Sequence, residues 1–284
     1  MRLSEATVAI VGLGLMGGSL AMSLRGQCAR LVGVARSEAA AQAALKAGVV
    51  DAVRSLEEAT READIVVLAT PVRHITATIP EAAALMRPGA VLIDLGSTKA
   101  GVVGVMNSIP EEWGVAAIGG HPMCGKEVGG LESADGTLFR GATFVLTPTL
   151  RTTDEALRLA RELVAAVGAG AVVLGAEQHD RAVAVISHLP YLLASALVQT
   201  EAQASECDPI TGTLAASGFR DTSRLAASQT EMMLDILLTN RQGVEATLDL
   251  FEGQLGRARA LLADFDGLKE WMEAAQKRRR EMFQ

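Results

Sequence analysis

Two kinds of residue in this sequence are spaced for chemistry: glycines that let a backbone close around a phosphate, and scarce histidines set beside glycines, prolines and arginines. Gly12-Leu13-Gly14-Leu15-Met16-Gly17 follows the apolar run Val8–Val11 and opens a helical pattern. In that context a GxGxxG spacing predicts a dinucleotide site. The first glycine makes the tight turn, the second lets main chain approach the pyrophosphate, and the third lets helix and strand pack closely. The helix N-terminus then faces the phosphates. A ligand-free strand–helix turn is the structural alternative. A flavin also stays open, because the turn reads pyrophosphate and not the redox ring. Thr70 and Pro71, just past the expected strand Ile65–Ala69, complete the expected cofactor set with Ser97.

NAD sites usually carry an acid at the end of the second strand, about 20 residues after the first glycine, to bond the ribose 2′-hydroxyl. Here the stretch is Gly33-Val34-Ala35-Arg36-Ser37, without that acid. Arg36 and Ser37 suit a 2′-phosphate, so NADP is favoured over NAD. The alternative is an Arg36 that stacks on adenine or faces water.

Three further segments carry candidate groups. Asp94-Leu95-Gly96-Ser97-Thr98-Lys99 ends a strand, on the sheet edge where ligands sit in open α/β folds. Ser97 and Lys99 can there face the nicotinamide or the substrate; a helix cap by Ser97 or Thr98 is the plainer alternative. His121, one of four histidines, lies in Gly119-Gly120-His121-Pro122-Met123-Cys124-Gly125-Lys126-Glu127. Its ordinary pKa suits a general base near neutrality, against the alternative of a loop histidine bonded to backbone. The third segment, Ser187-His188-Leu189-Pro190-Tyr191, is followed by Gly218-Phe219-Arg220-Asp221-Thr222-Ser223-Arg224. His188 and Tyr191 share a helix face unless Pro190 displaces one. Arg220 and Arg224 are the best carboxylate holders, against a buried structural histidine and solvated arginines. His74, starting an amphipathic helix, and His179, in the polar stretch Glu177-Gln178-His179-Asp180, are assigned structural roles.

The elements that must position these groups alternate in the first half of the chain. β-Branched runs at Thr7–Val11, Arg30–Val34, Ile65–Ala69, Val91–Asp94, Ala116–Gly119, Thr143–Leu146 and Ala171–Leu174 are separated by alanine-rich helical stretches, which predicts a parallel α/β sheet. Beyond Gly175 the periodicity is helical throughout, with Pro190 expected to kink or split the first helix. The prediction is an α/β Rossmann-type dinucleotide-binding domain, residues 1–175, followed by an all-α dimerisation domain, residues 176–284. The apolar stripe of 242–264 is too long for a lone surface helix, which predicts a homodimer through the helical domain.

Composition narrows the class. The chain has 284 residues, 49% hydrophobic and 21% charged, enough for two ordinary domains. A net charge of −7 argues against nucleic acid. The basic run Lys277–Arg280 lies at a helix end, where cations suit the dipole. Cys28, Cys124 and Cys207 are far apart, without metal-ligand spacing, and fit reduced cytosolic thiols. No unbroken apolar run reaches the length of a bilayer span, and the first strand leaves no room for a signal peptide, so a cytoplasmic protein with no membrane partner is expected.

Taken in order, GLGLMGGSL, DLGSTK, GGHPMCGKE, EQHD with SHLP, and GFRDTSR resemble the prephenate/arogenate dehydrogenase family of tyrosine biosynthesis, over residues 8 to about 240. HPMxG with SHLP and a downstream FRDxxR is far more specific than GxGxxG alone. The resemblance implies a Rossmann domain, a helical dimerisation domain, and oxidative decarboxylation of prephenate or arogenate with hydride transfer to NAD(P)+. It implies that His121 accepts the hydroxyl proton, that Ser97 bonds the same hydroxyl, and that Arg224 holds a substrate carboxylate with His188 nearby. Glu127 matches an acid near the pocket entrance, and Arg220 and Asp221 lie at the pocket or across the dimer. Tyr191 stands where many members have a second histidine, leaving prephenate or arogenate open. The chain ends at Gln284 without an appended regulatory domain, so tyrosine inhibition is expected only at the active site. A β-hydroxyacid dehydrogenase is the second enzyme reading, though no GxxxKxxxN helix occurs between residues 150 and 200. A non-catalytic NADP-binding regulator is the third.

Overall fold

The computed structural model describes residues 1–126 and 128–283. The strands β1 (Thr7–Val11), β2 (Arg30–Val34), β3 (Ala52–Val53), β4 (Ile65–Leu68), β5 (Val91–Asp94), β6 (Ala116–Pro122), β7 (Thr143–Pro148) and β8 (Gly170–Val173) form one sheet, ordered β3-β2-β1-β4-β5-β6-β7-β8. β4 and β5 are buried at every residue, as apolar runs covered on both faces must be. The expectation of a parallel sheet needs one correction: β6 and β7 pair antiparallel, and β8 returns parallel to β7. The strand order reverses between β1 and β4, the crevice where dinucleotides bind in such sheets.

Helices cover both faces. α1 (Leu15–Leu24) and α6 (Asp154–Ala166) bury Leu20, Leu24, Leu159 and Leu163 against Ile10 and Phe144. α2 (Glu38–Lys46) lies on the same face, with Ala44 in that cluster. On the other face lie α3 (Leu56–Glu62), α4 (Val72–Leu85) and α5 (Ala100–Asn107), where Ile75, Ile79, Val102 and Met106 meet Val66, Leu68 and Leu92. Local chemistry starts several of these helices. The Ser37 hydroxyl caps α2, Thr153 caps α6, and Ser55 with Glu58 forms a reciprocal capping box on α3. α5 is different: neither Ser97 nor Thr98 caps it.

After β8 the chain is helical. α7 (Ala176–Val183) runs through a π turn, Ala184–His188, into α8 (Leu189–Cys207). The irregularity that Pro190 predicts is therefore a wide turn just before it, not a break. This continuous helix, Ala176–Cys207, reaches a mean hydropathy of 1.6 over 18 residues, so by length and composition it could cross a bilayer although no unbroken apolar run does. It packs against α5 and β7 and carries buried polar residues. The stretch after α8 forms two short helices, α9 (Ile210–Thr213) and α10 (Ser217–Ser223). α11 (Thr230–Thr239), α12 (Arg241–Leu261) and α13 (Phe265–Met282) follow.

Candidate active site

The glycine turn has the shape a pyrophosphate needs. Gly12 adopts φ +98°, a conformation side chains disfavour, and a Cβ there would lie 2.8 Å from Thr70 Cγ2. A Cβ on Gly17 would lie 1.9 Å from the Gly12 carbonyl oxygen, whereas one on Gly14 would meet nothing within 4 Å. Gly12 and Gly17 thus close the turn, and Gly14 leaves the space above it clear. Thr70, whose Cγ2 packs against Gly12, has a buried Oγ1 without a hydrogen-bond partner among the described residues. An unpaired buried hydroxyl fits a site that a polar ligand completes. Arg36 is exposed beyond β2, and Ser37 accepts the Ala40 N–H at 3.3 Å, leaving its own O–H as the group for a phosphate.

The acid–base residues assemble at the carboxyl edge of β5 and β6. His121 lies on β6 itself, not in a following loop, because β7 pairs with it through Val145. Its ring is half-buried. His121 Nδ1 is 2.8 Å from His179 Nε2, with the rings edge-on at 73°. His179 Nδ1 is in turn 2.7 Å from Asp180 Oδ1. The Lys99 and Ala100 N–H groups donate to the same carboxylate at 2.7 and 2.8 Å. Asp180 thereby caps α5 from 80 residues away, satisfying orphan N–H groups and answering the helix dipole.

Protonation follows from these partners. Burial pushes the Asp180 carboxyl up, but the His179 ring and the Ala100 and Lys99 N–H groups outweigh it and hold the pKa below its usual value. An ionised carboxylate only accepts, so an uncharged His179 ring donates from Nδ1 and presents a bare Nε2. His121 must then donate from Nδ1, which leaves its own Nε2 bare. Burial, then Lys99, His179 and His188, hold the His121 pKa well below that of an ordinary histidine. The arrangement supplies one oriented proton acceptor.

Two expectations change here. His179, assigned a structural role as a polar-turn residue, is buried on α7 and orients His121. Its signal was legible: Ala176, His179, Asp180 and Val183 form the buried i, i+3, i+4, i+7 stripe, so two polar residues occupy core positions. Lys99 does not present its ammonium to a ligand. It is fully buried against Asp94. Burial lowers the Lys99 pKa against the opposing pull of Asp94 and Asp180. Asp94 also accepts from Gly96 N–H at 2.7 Å and Gly120 N–H at 3.0 Å, the latter beside His121.

His188 ends the π turn and is 1% exposed. Asn240, between α11 and α12, approaches it at 3.2 Å and also donates to the Asp180 carbonyl at 2.7 Å. Nothing local in the sequence singled out Asn240 or Asp94. Ser97 is half-buried on the turn after β5, and Tyr191 is half-buried in the first turn of α8. Arg224 opens a short turn, Arg224–Ala227, that packs on α8. Arg220 is exposed and lies 3.5 Å from Asp221. Pro71 immediately precedes α4, in whose first turn His74 is exposed. Glu127 lies outside the described residues.

Comparison with known proteins agrees with this geometry. The family model described as prephenate dehydrogenase, nucleotide-binding domain, matches residues 20–173. The one described as prephenate dehydrogenase, dimerization domain, matches residues 175–274. The chain belongs to the prephenate dehydrogenase family. It is 33% identical over 271 residues to the prephenate dehydrogenase of Bacillus subtilis, covering 94% of this chain and 72% of that one. The crystal structure of prephenate dehydrogenase from A. aeolicus, in complex with hydroxyphenyl propionate and NAD+, superposes with a TM-score of 0.91 at 30% identity, covering 99% of this chain and 100% of that one. Synechocystis arogenate dehydrogenase gives 0.85 at 30% identity, covering 97% and 99%. Membership in this family sets aside the β-hydroxyacid dehydrogenase alternative and identifies the glycine turn as that of an NAD(P)-dependent dehydrogenase.

Proposed function

We propose that this chain oxidatively decarboxylates prephenate or arogenate in tyrosine biosynthesis. The observation that carries the mechanism is the Asp180–His179–His121 chain, which leaves His121 Nε2 bare beside the dinucleotide edge of the sheet. The nicotinamide, when bound, supplies the hydride acceptor. His121 Nε2 takes the proton of the ring hydroxyl, and Ser97 bonds the same oxygen. As hydride leaves the carbon bearing that hydroxyl, the O–H becomes far more acidic, so a base of low pKa suffices. The bond to the ring carboxylate then breaks, carbon dioxide leaves, and its electron pair completes the aromatic ring. The phenol oxygen regains the proton. Aromatisation drives the step, so the protein chiefly orients the substrate and holds this proton. Asp180 stabilises the His121 imidazolium through His179 without itself being protonated.

Arg224 holds a substrate carboxylate, with His188 and Tyr191 lining the pocket and Glu127 and Arg220 near its entrance. Arg36 and Ser37 favour NADP+ over NAD+. The exposed Leu238, Leu250, Leu255 and Phe265 on α11–α13 suit burial in a homodimer, and the enzyme works in the cytoplasm. The test mixes the purified chain with prephenate or arogenate and with NADP+ or NAD+, following absorbance of the reduced nucleotide. Turnover is expected, faster with NADP+. No turnover in any of the four combinations would overturn the enzyme reading in favour of a dinucleotide-binding regulator, and a preference for NAD+ would remove the role of Arg36.

A further inference from the structure

We propose that Asn240 is a positioning residue that fixes the ring tautomer of His188, placing its proton on Nε2 so that the pocket offers a donor to an acceptor oxygen of the substrate. This rests on the proposed function in one respect, that His188 lines the substrate pocket. The tautomer itself follows from the hydrogen bonds.

Asn240 Nδ2 lies 2.7 Å from the main-chain oxygen of Asp180. A carbonyl oxygen has no proton to give, so the atom facing it must be the amide nitrogen. A flipped amide would set two acceptors against each other at that separation. The orientation of Asn240 is therefore decided by the backbone, independently of the histidine. The remaining N–H of the same nitrogen faces His188 Nδ1 at 3.2 Å. A second N–H cannot face it favourably, so Nδ1 is bare and the proton of the uncharged ring is on Nε2.

The surroundings hold this arrangement. Asn240 is 7% exposed and His188 1%, so water cannot readily replace either partner. A Cβ on Gly243 would lie 2.6 Å from Asn240 Oδ1, so the glycine leaves room for the amide. The titratable groups that act on His188 are Asp180 and His179 on α7, with His121 on β6 within electrostatic reach. Burial, against the pull of Asp180 and with the push of His179, lowers the His188 pKa to about 4. His188 is thus uncharged near neutrality. His121 and His188 then have opposite jobs: one offers a bare Nε2 to a hydroxyl proton, the other an Nε2–H to a carboxylate or ketone oxygen. An ammonium group finds no acceptor at His188.

The experiment is 15N NMR of the full-length chain carrying 15N-labelled histidine, with NADP+ bound and no substrate. The chain has four histidines, and His188→Gln identifies the His188 signals by their loss. The expected wild-type spectrum shows His188 with protonated Nε2 and bare Nδ1 from pH 5.5 to 8. Asn240→Asp, nearly isosteric, faces Nδ1 with an acceptor and should move the proton to Nδ1 or charge the ring. Asn240→Ser retains a small donor and should restore the wild-type pattern at least in part. In steady state Asn240→Asp should raise the substrate KM about tenfold or more, with a smaller change in kcat and a new titration in KM between pH 5 and 8. A wild-type His188 protonated on Nδ1 would overturn the proposal. So would an Asn240→Asp variant with unchanged tautomer and unchanged KM profile. Because the NMR needs no substrate, an enzyme inactive on both acids would sink the functional reading while leaving the Asn240 result to stand or fall alone.

Discussion

Among the described residues His121 bonds no charged group directly; its orientation comes from a second histidine. The carboxylate of Asp180 fixes His179, and His179 fixes which nitrogen of His121 is bare. His121→Asn should lower kcat by roughly 10²–10⁴-fold, the usual worth of a positioned base, with dinucleotide affinity unchanged in a fluorescence titration. A near-wild-type rate would remove His121 as the base. His179→Asn keeps the base but not its orientation and should lower kcat by about tenfold or more, less than loss of the base itself, with KM little altered. A His179 that only filled space would cost stability and leave kcat alone. Sequence makes His121 the candidate base from its glycine-rich setting, yet it gives His179, in a polar turn, only a structural role. The polarity of Glu177-Gln178-His179-Asp180 is an average over all sides of a helix, whereas burial selects one side.

At the scale of elements, the β1–α1 turn separates two jobs that a motif match merges. Gly17→Ala puts a Cβ 1.9 Å from the Gly12 carbonyl oxygen, so the turn itself must move. Both Tm and dinucleotide affinity should fall, the affinity by about tenfold or more. Gly14→Ala meets no described atom beyond its chain neighbours within 4 Å, so Tm without ligand should be unchanged while affinity falls, because its methyl group enters the space for the pyrophosphate. Equal effects of the two substitutions on Tm would contradict this division. α5 shows the limit of local signals. Its sequence Ala-Gly-Val-Val-Gly-Val-Met-Asn mixes glycine with β-branched residues, poor helix formers. No helix was legible there. It forms because the Asp180 carboxylate caps it from α7 and because Val102 and Met106 are buried under the sheet.

Across the whole molecule, the two helical and sheet regions are joined by the same groups that form the site. Asp180 caps α5, Asn240 bonds Asp180, Thr98 meets Thr239 at 2.9 Å, and Arg73 pairs with Asp235. Stability should therefore follow the protonation of the site. Burial holds the folded pKa values of His121 and His188 below that of a free histidine, His188 at about 4. The unfolded chain takes up those protons first as pH falls, so their penalty is absent above about pH 6.5 and grows as pH drops toward 4. Denaturant unfolding at pH 7.5, 6.0 and 5.0 should show stability falling over this range, and His188→Gln should flatten the fall. An equal slope in that variant would mean His188 does not carry it. The sequence alone determined the glycine turn, most of the strands and the change to all-helical chain after Gly175, and it made His121 the candidate base, because each is written in neighbouring residues or a short period. Only the tertiary structure decided the antiparallel β6–β7 pair, the start of α5, the burial of Lys99, and the tautomers of the three site histidines. Those depend on partners tens of residues away, and a proton's place on an imidazole ring is set by whichever group folding brings to the other nitrogen.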